Sequence, residues 1–159
     1  MKGNEKLLKV LNQLLADELT AISQYMVHSE MCDNWGYEKL HKTIEKTAID
    51  EMHHAEWLIG RIIFLEGRPV VSKLNPIKVG ATVPEMIGNG QKGEQDAIRA
   101  YNSAIALARA VADEATADLL VKILKDEERH EDWAQIQRDQ MGQMGLENYL
   151  ANQAEAAAG

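Results

Sequence analysis

Glu51-Met52-His53-His54 and Glu127-Glu128-Arg129-His130 decide the reading of this chain, because each sets a glutamate three residues ahead of a histidine, and the two lie 76 positions apart. The same offset carries Glu18, Ala21, Ile22, Tyr25 and Trp57 onto Glu94, Ala97, Ile98, Tyr101 and Trp133. The chain therefore contains a diverged internal duplication. On a helix, a spacing of three puts two side chains on neighbouring turns of one face, so each Glu-x-x-His offers a carboxylate and an imidazole together. One lone Glu on a helix is ordinarily a solvated residue, and one Glu-x-x-His arises often by chance. Diverged copies that agree at a lone Glu, a Glu-x-x-His and flanking aromatics point instead to a symmetric two-metal site.

Working outward, apolar residues recur at helical spacing from Glu5 to about Met31, where Cys32-Asp33-Asn34-Trp35-Gly36 breaks the pattern. A second helix is expected from about Tyr37 to Leu65, ending at Gly67 and Pro69. Residues 67–83 form a connector with some extended character, rich in Pro, Val and Ile. A third helix starts near Pro84, a residue suited to a first turn, and ends around Val111. Asp113 is placed to cap a fourth, which lasts to about Met144. Beyond Gly145, Leu146 to Ala151 has the length for a short fifth helix, followed by a frayed alanine-rich tail.

The two copies, about 5–66 and 84–144, thus become two helical hairpins in one domain. Glu18 and Glu51 are equidistant from the Asn34-Trp35-Gly36 turn, and Glu94 and Glu127 from the second turn. Antiparallel helices joined by a short turn bring such residues to the same level. A second helix of that extent is about 42 Å long at 1.5 Å per residue, and the connector, at up to about 60 Å extended, is able to run back along it. The fold class is all-α: a four-helix bundle with a long crossover between helices 2 and 3, pseudo-twofold symmetry and a short C-terminal helix.

Composition narrows the function. A chain of 159 residues buries a core without staples. Its formal charge of −8 argues against nucleic-acid binding and favours small cationic partners. The lone Cys32 excludes an internal disulfide framework and any Cys-x-x-Cys metal knuckle. No signal-like segment and no apolar run long enough to span a bilayer is present, so no membrane role and a cytoplasmic location are expected.

Glu18, Glu51, His54, Glu94, Glu127 and His130 are the candidate metal ligands and the candidate catalytic residues. Four carboxylates balance two divalent ions, and mixed carboxylate and imidazole donors suit iron or manganese. Left empty, such a site would crowd like charges in a bundle core. Tyr25 and Tyr101 sit two turns beyond the lone glutamates, and Trp57 and Trp133 three residues beyond the histidines. They are expected to pack around the site with the Tyr hydroxyls bonded to ligand carboxylates, and Tyr25 and Trp133 are the better candidates for electron transfer. His28, His41 and His53 have no counterpart in the repeat and default to surface or packing roles.

Across nearly its whole length the chain resembles the bacterioferritin family of the ferritin-like superfamily. The residues that carry this are Met1-Lys2-Gly3, Leu11-Asn12, Glu18-Leu19-Thr20-Ala21-Ile22-Ser23-Gln24-Tyr25, Asp33-Asn34-Trp35-Gly36, Asp50-Glu51-Met52-His53-His54-Ala55, Phe64-Leu65-Glu66-Gly67, Asp126-Glu127-Glu128-Arg129-His130 and Gly145-Leu146-Glu147-Asn148-Tyr149-Leu150. The resemblance implies one iron on Glu18, Glu51, His54 and Glu127 and a second on Glu51, Glu94, Glu127 and His130, with Glu51 and Glu127 bridging. It implies that Met52, which by helical phase shares a lateral surface with Ile49, Ile59 and Ile63, is the axial ligand of one haem b per dimer. It implies a homo-oligomer of 24 subunits storing iron oxide, a ferroxidase reaction of Fe(II) with oxygen or hydrogen peroxide, and a ferredoxin-type reductant for iron release. Asp50 would contribute to an accessory iron position, but Lys46 stands where the family often has a histidine, and a lysine is a poor iron ligand. A haem-binding electron-transfer protein with a secondary di-iron site is the rival reading. A rubrerythrin-like peroxidase needs a cysteine-rich iron domain, and a DNA-protecting mini-ferritin binds iron between subunits; neither matches this ligand set.

Overall fold

In the computed structural model, which describes residues 1–154, the chain forms α1 (Glu5–Asn34), α2 (Glu38–Phe64), α3 (Val83–Ala110), α4 (Glu114–Met144) and α5 (Leu146–Gln153). α1 packs along α2 and α3 along α4 as two antiparallel hairpins. α1–α3 and α2–α4 contacts close the four-helix bundle, and α5 rests on α4 and α2. There is no strand among the described residues, so the connector runs without regular structure. It is held instead by side chains of α1: Val70 N–H donates to Asn12, Asn75 N–H to Thr20 and Lys78 N–H to Gln24. The alanine-rich tail lies outside the described residues.

Capping explains most of the helix starts. The Asn4 side chain accepts from Leu7 N–H, Thr82 from Glu85 N–H and Asp113 from Thr116 N–H, each satisfying an amide that has no partner inside its helix. α1 outlasts the expected end near Met31 by three residues. Cys32, Asp33 and Asn34 are polar or small but not helix-breaking; the chain turns only at Gly36, whose φ of 80° is left-handed. Its N–H bonds Asp33 O while Tyr37 N–H reaches back to Cys32 O, the pattern that ends many helices. The second turn repeats these bonds 76 positions on: Ala112 N–H to Arg109 O and Asp113 N–H to Ala108 O. There Ala112 takes the left-handed backbone (φ 59°) that glycine holds in the first turn.

Two apolar clusters bracket the middle of the bundle. One gathers Leu7, Leu11, Leu14, Leu58, Ile62, Ile105, Leu120 and Ile123; the other gathers Cys32, Leu40, Ile44, Met86, Ile87 and Tyr149. On all four long helices the predicted ligands fall in the interval between the clusters. Apolar packing at both ends therefore holds a polar layer that would be costly to bury alone. No helix is long and apolar enough to cross a membrane among the described residues.

Candidate metal centre

Glu18, Glu51, His54, Glu94, Glu127 and His130 are all buried at the level between the two clusters. They form two groups, Glu18, Glu51, His54 and Glu127, and Glu51, Glu94, Glu127 and His130. Within each, one donor atom per residue lies within 4.8 Å of the others. Glu51 and Glu127 belong to both. Equal spacing about each turn brings each lone Glu opposite its Glu-x-x-His, and hairpin pairing then joins the halves.

Contacts across the site follow the duplication. Tyr25 Oη donates to Glu94 at 2.6 Å and Tyr101 Oη to Glu18 at 2.5 Å, so each tyrosine serves the lone glutamate of the other half. His54 Nδ1 is 3.0 Å from a Glu127 oxygen and His130 Nδ1 is 3.0 Å from a Glu51 oxygen, again across the halves. His54 Nε2 donates to Asp126 at 2.8 Å, and His130 Nε2 donates to Asp50 at 3.0 Å. Anchoring Nε2 in this way turns Nδ1 toward the glutamates as the nitrogen available to a metal.

Asp50 and Asp126 are partners of these histidines that the sequence reading did not assign. Asp50 was expected at an accessory iron position, and Asp126 was given no role. Their signal was the same 76-residue offset that exposed the ligands. Asp50 is engaged on both oxygens, with Lys46 Nζ at 2.7 Å on one and His130 on the other. Burial raises its pKa, but the lysine and histidine win and hold it below the usual range.

Charge makes the centre a strained arrangement of anions. Burial, reinforced by the charges of neighbouring glutamates, pushes Glu51 and Glu127 well above the carboxylate range. Burial also pushes Glu18 upward, but its hydrogen bonds with Glu51 and His54 outweigh that and leave it lowered. For His54 and His130 burial favours the neutral ring, yet the surrounding carboxylates prevail and raise both. Protons thus supply the positive charge that the carboxylates need. Even so, Glu18 Oε2, Glu94 Oε2 and Glu127 Oε1 have no hydrogen-bond partner among the described residues, the last despite its short distance to His54. Buried carboxylate oxygens without partners are expensive in a structural role and suited to cation binding. A cavity of ≈ 360 Å³ between α1, α3 and the connector joins these glutamates to the exposed Asp96 and Lys92.

Around the centre, the Trp57 ring centroid is 5.5 Å from that of His54, and Lys122 Nζ lies over the Trp57 ring, 3.9 Å from its centroid. Trp133 packs in the second apolar cluster and shares a small pocket with Tyr25 and His130. Gly90 lets the Tyr25 ring lie against α3, since a β-carbon there would come within 3.3 Å of it. Met52 is not part of the buried set. It is 43 % exposed on α2, with Ile49 and Ile63 exposed on the same helix. Of the other histidines, His53 is exposed, while His28 is buried and accepts from Gly80 N–H at 3.0 Å, pinning the connector to α1.

The ferritin-like domain model matches residues 8–144. A bacterial ferritin from Synechocystis sp. is 43 % identical over 96 % of this chain and 99 % of its own length. The chain belongs to the bacterioferritin family. The bacterioferritin of Brucella melitensis is 38 % identical over 94 % of this chain and 92 % of its own. The solved structure of Mycobacterium tuberculosis bacterioferritin superposes with a TM-score of 0.96 at 36 % identity, covering 98 % of both chains. Bacterioferritins are homo-oligomeric iron-storage proteins, and the buried carboxylate and imidazole groups of this member are chemically fit to hold iron.

Proposed function

We propose that this chain is a ferroxidase subunit of an iron-storage shell, taking Fe(II) as its substrate at the buried centre. Glu18, Glu51, His54 and Glu127 receive one ion, and Glu51, Glu94, Glu127 and His130 the other. Sharing Glu51 and Glu127 keeps the two ions close enough to give one electron each to a single oxidant. With hydrogen peroxide, two Fe(II) and two protons yield two Fe(III) and two waters; with dioxygen, they yield two Fe(III) and hydrogen peroxide. The observation that carries this reading is the pair of four-residue groups with unpartnered carboxylate oxygens between them. Protons held by these carboxylates and imidazoles leave as the ions bind, so loading is tied to proton release. The Tyr25 and Tyr101 hydroxyls, held protonated by burial and the neighbouring glutamate charges, fix Glu94 and Glu18. In this reading Tyr25 and Trp133 pass further electrons, and a 24-subunit cavity receives the ferric product. Asp50 acts here as the orienting partner of His130, since both its oxygens are engaged.

The test is anaerobic Fe(II) loading followed by oxygen. Rapid oxidation saturating at two ions per chain, then slower mineral growth, is expected from the two groups. Glu51→Gln should remove the rapid phase. Oxidation in the wild type no faster than that of free Fe(II) would overturn the assignment.

The exposed Met52 thioether, on a helix that also exposes Ile49 and Ile63, would suit a soft ligand to haem iron shared between two copies. Met52 from each of two subunits would hold one haem b, which supplies one-electron chemistry for reductive iron release by a ferredoxin-type donor. Met52→Leu should abolish the haem absorption band in protein produced with haem available.

A further inference from the structure

We infer that Glu30, His41 and Glu45 form a second, solvent-facing site for a divalent transition cation such as Zn(II) or Fe(II), separate from the bundle core. His41 and Glu45 stand one turn apart on α2, and Glu30 reaches them from the end of α1 across the hairpin. One donor atom from each lies within 4.8 Å of the other two, and His41 Nε2 is already 3.7 Å from Glu45. Tetrahedral zinc with bonds near 2.1 Å sets its donors about 3.4 Å apart, so modest rotation of two exposed glutamate side chains closes the set.

The imidazole is positioned as a ligand rather than left to turn freely. His41 Nδ1 lies 2.9 Å from the Ser29 carbonyl oxygen, which fixes the Nδ1–H tautomer and directs the Nε2 lone pair at the two carboxylates. The local field also favours a cation. Glu30 and Asp33 lie near the C-terminal end of α1, where the helix dipole is negative, and no basic residue is present in the last turn. A His41–Glu45 ion pair alone contributes little at this exposure and leaves Glu30 unexplained. The site shares no residue with the buried centre, and ten residues of α2 separate His41 from Glu51, about 15 Å of helix.

The probe is Zn(II) alone, titrated into the assembled protein with a competing chromophoric chelator. Wild type is expected to take up three ions per chain, two in the buried groups and one here, and His41→Ala two. Glu30→Gln and Glu45→Gln should each weaken the third ion at least about tenfold. Crystals soaked in Zn(II) should show anomalous density at the zinc edge bonded to His41 Nε2. Undiminished stoichiometry in His41→Ala, or filled buried groups with no density at His41, would overturn the site. Since all three residues are at the surface or partly so, unchanged circular dichroism of the variants excludes loss of fold as the cause of either outcome. Failure of the buried centre would show separately, as loss of the two ions that His41→Ala retains.

Discussion

Replacing Asp126 with alanine removes the carboxylate that receives Nε2–H from His54, while leaving all six proposed ligands in place. The imidazole then loses both the anchor that turns Nδ1 toward Glu127 and the negative charge that makes it a better donor. Loss of such an outer partner typically weakens metal binding by about 10–100-fold, equivalent to about 1.4–2.7 kcal/mol. Little of this passes into folding through the Arg129–Asp126 pair, because the arginine is exposed and the aspartate only half-buried. Asp126→Asn, which keeps an acceptor but not the charge, should lose less. By the pseudo-twofold relation Asp50→Ala should do the same to the ion beside His130. The assay is Zn(II) competition in a His41→Ala background, so that only the buried groups are read, with the loss assigned by anomalous density at each position. Each single variant is expected to deplete one ion more than the other. Unchanged affinity in Asp126→Ala, or equal loss of both ions from either variant, would refute the idea that these aspartates orient one histidine each.

Ala112→Gly should stabilise the fold by roughly 1 kcal/mol, since a left-handed backbone at a residue with a β-carbon costs about that much; a lower denaturation midpoint would contradict it. Gly90→Ala improves helix propensity by about 1 kcal/mol, yet its β-carbon crowds the Tyr25 ring, so near-neutral stability with slower Fe(II) oxidation is expected, and a rate equal to wild type would count against Tyr25 holding Glu94. His28 is neutral in the fold because burial lowers its pKa to about 4, whereas the unfolded ring titrates near 6.5. The unfolded state therefore binds the extra proton first, and stability falls as pH drops from about 6.5 to about 4, by up to about 3 kcal/mol. Protonation also forbids Nε2 from accepting Gly80 N–H. His28→Gln should flatten that part of the stability profile relative to wild type, measured by denaturant midpoint against pH.

How much of this was legible in the sequence depends on whether a feature is local or repeated. Both hairpins, the Asp113 cap and the gathering of the six buried glutamates and histidines came from periodicity and from one offset, because duplication turns long-range proximity into a pattern visible along the chain. The Tyr–Glu bonds followed too, though not that each tyrosine serves the opposite half. What stayed hidden were unrepeated long-range contacts. His28 with Gly80, and Arg61 with Asp113 and Thr116, join segments more than 50 residues apart with no periodic trace. The end of α1 was misplaced because polar residues at 33–34 resemble a break, while backbone conformation at Gly36 decides where the helix stops.

The exchanged contacts of the two halves have a consequence for any fragment of this chain. Each hairpin supplies three residues of one cation position and one of the other, and its tyrosine and aspartate serve the opposite hairpin. A 76-residue piece would thus hold an incomplete set alone, but two identical copies related by a dyad would recreate the contacts among the glutamates, histidines, tyrosines and aspartates of the site. At its centre the present molecule is chemically equivalent to such a self-paired dimer whose subunits are tethered by the connector, which leaves each half free to differ outside the site, as the Arg61–Asp113 pair does.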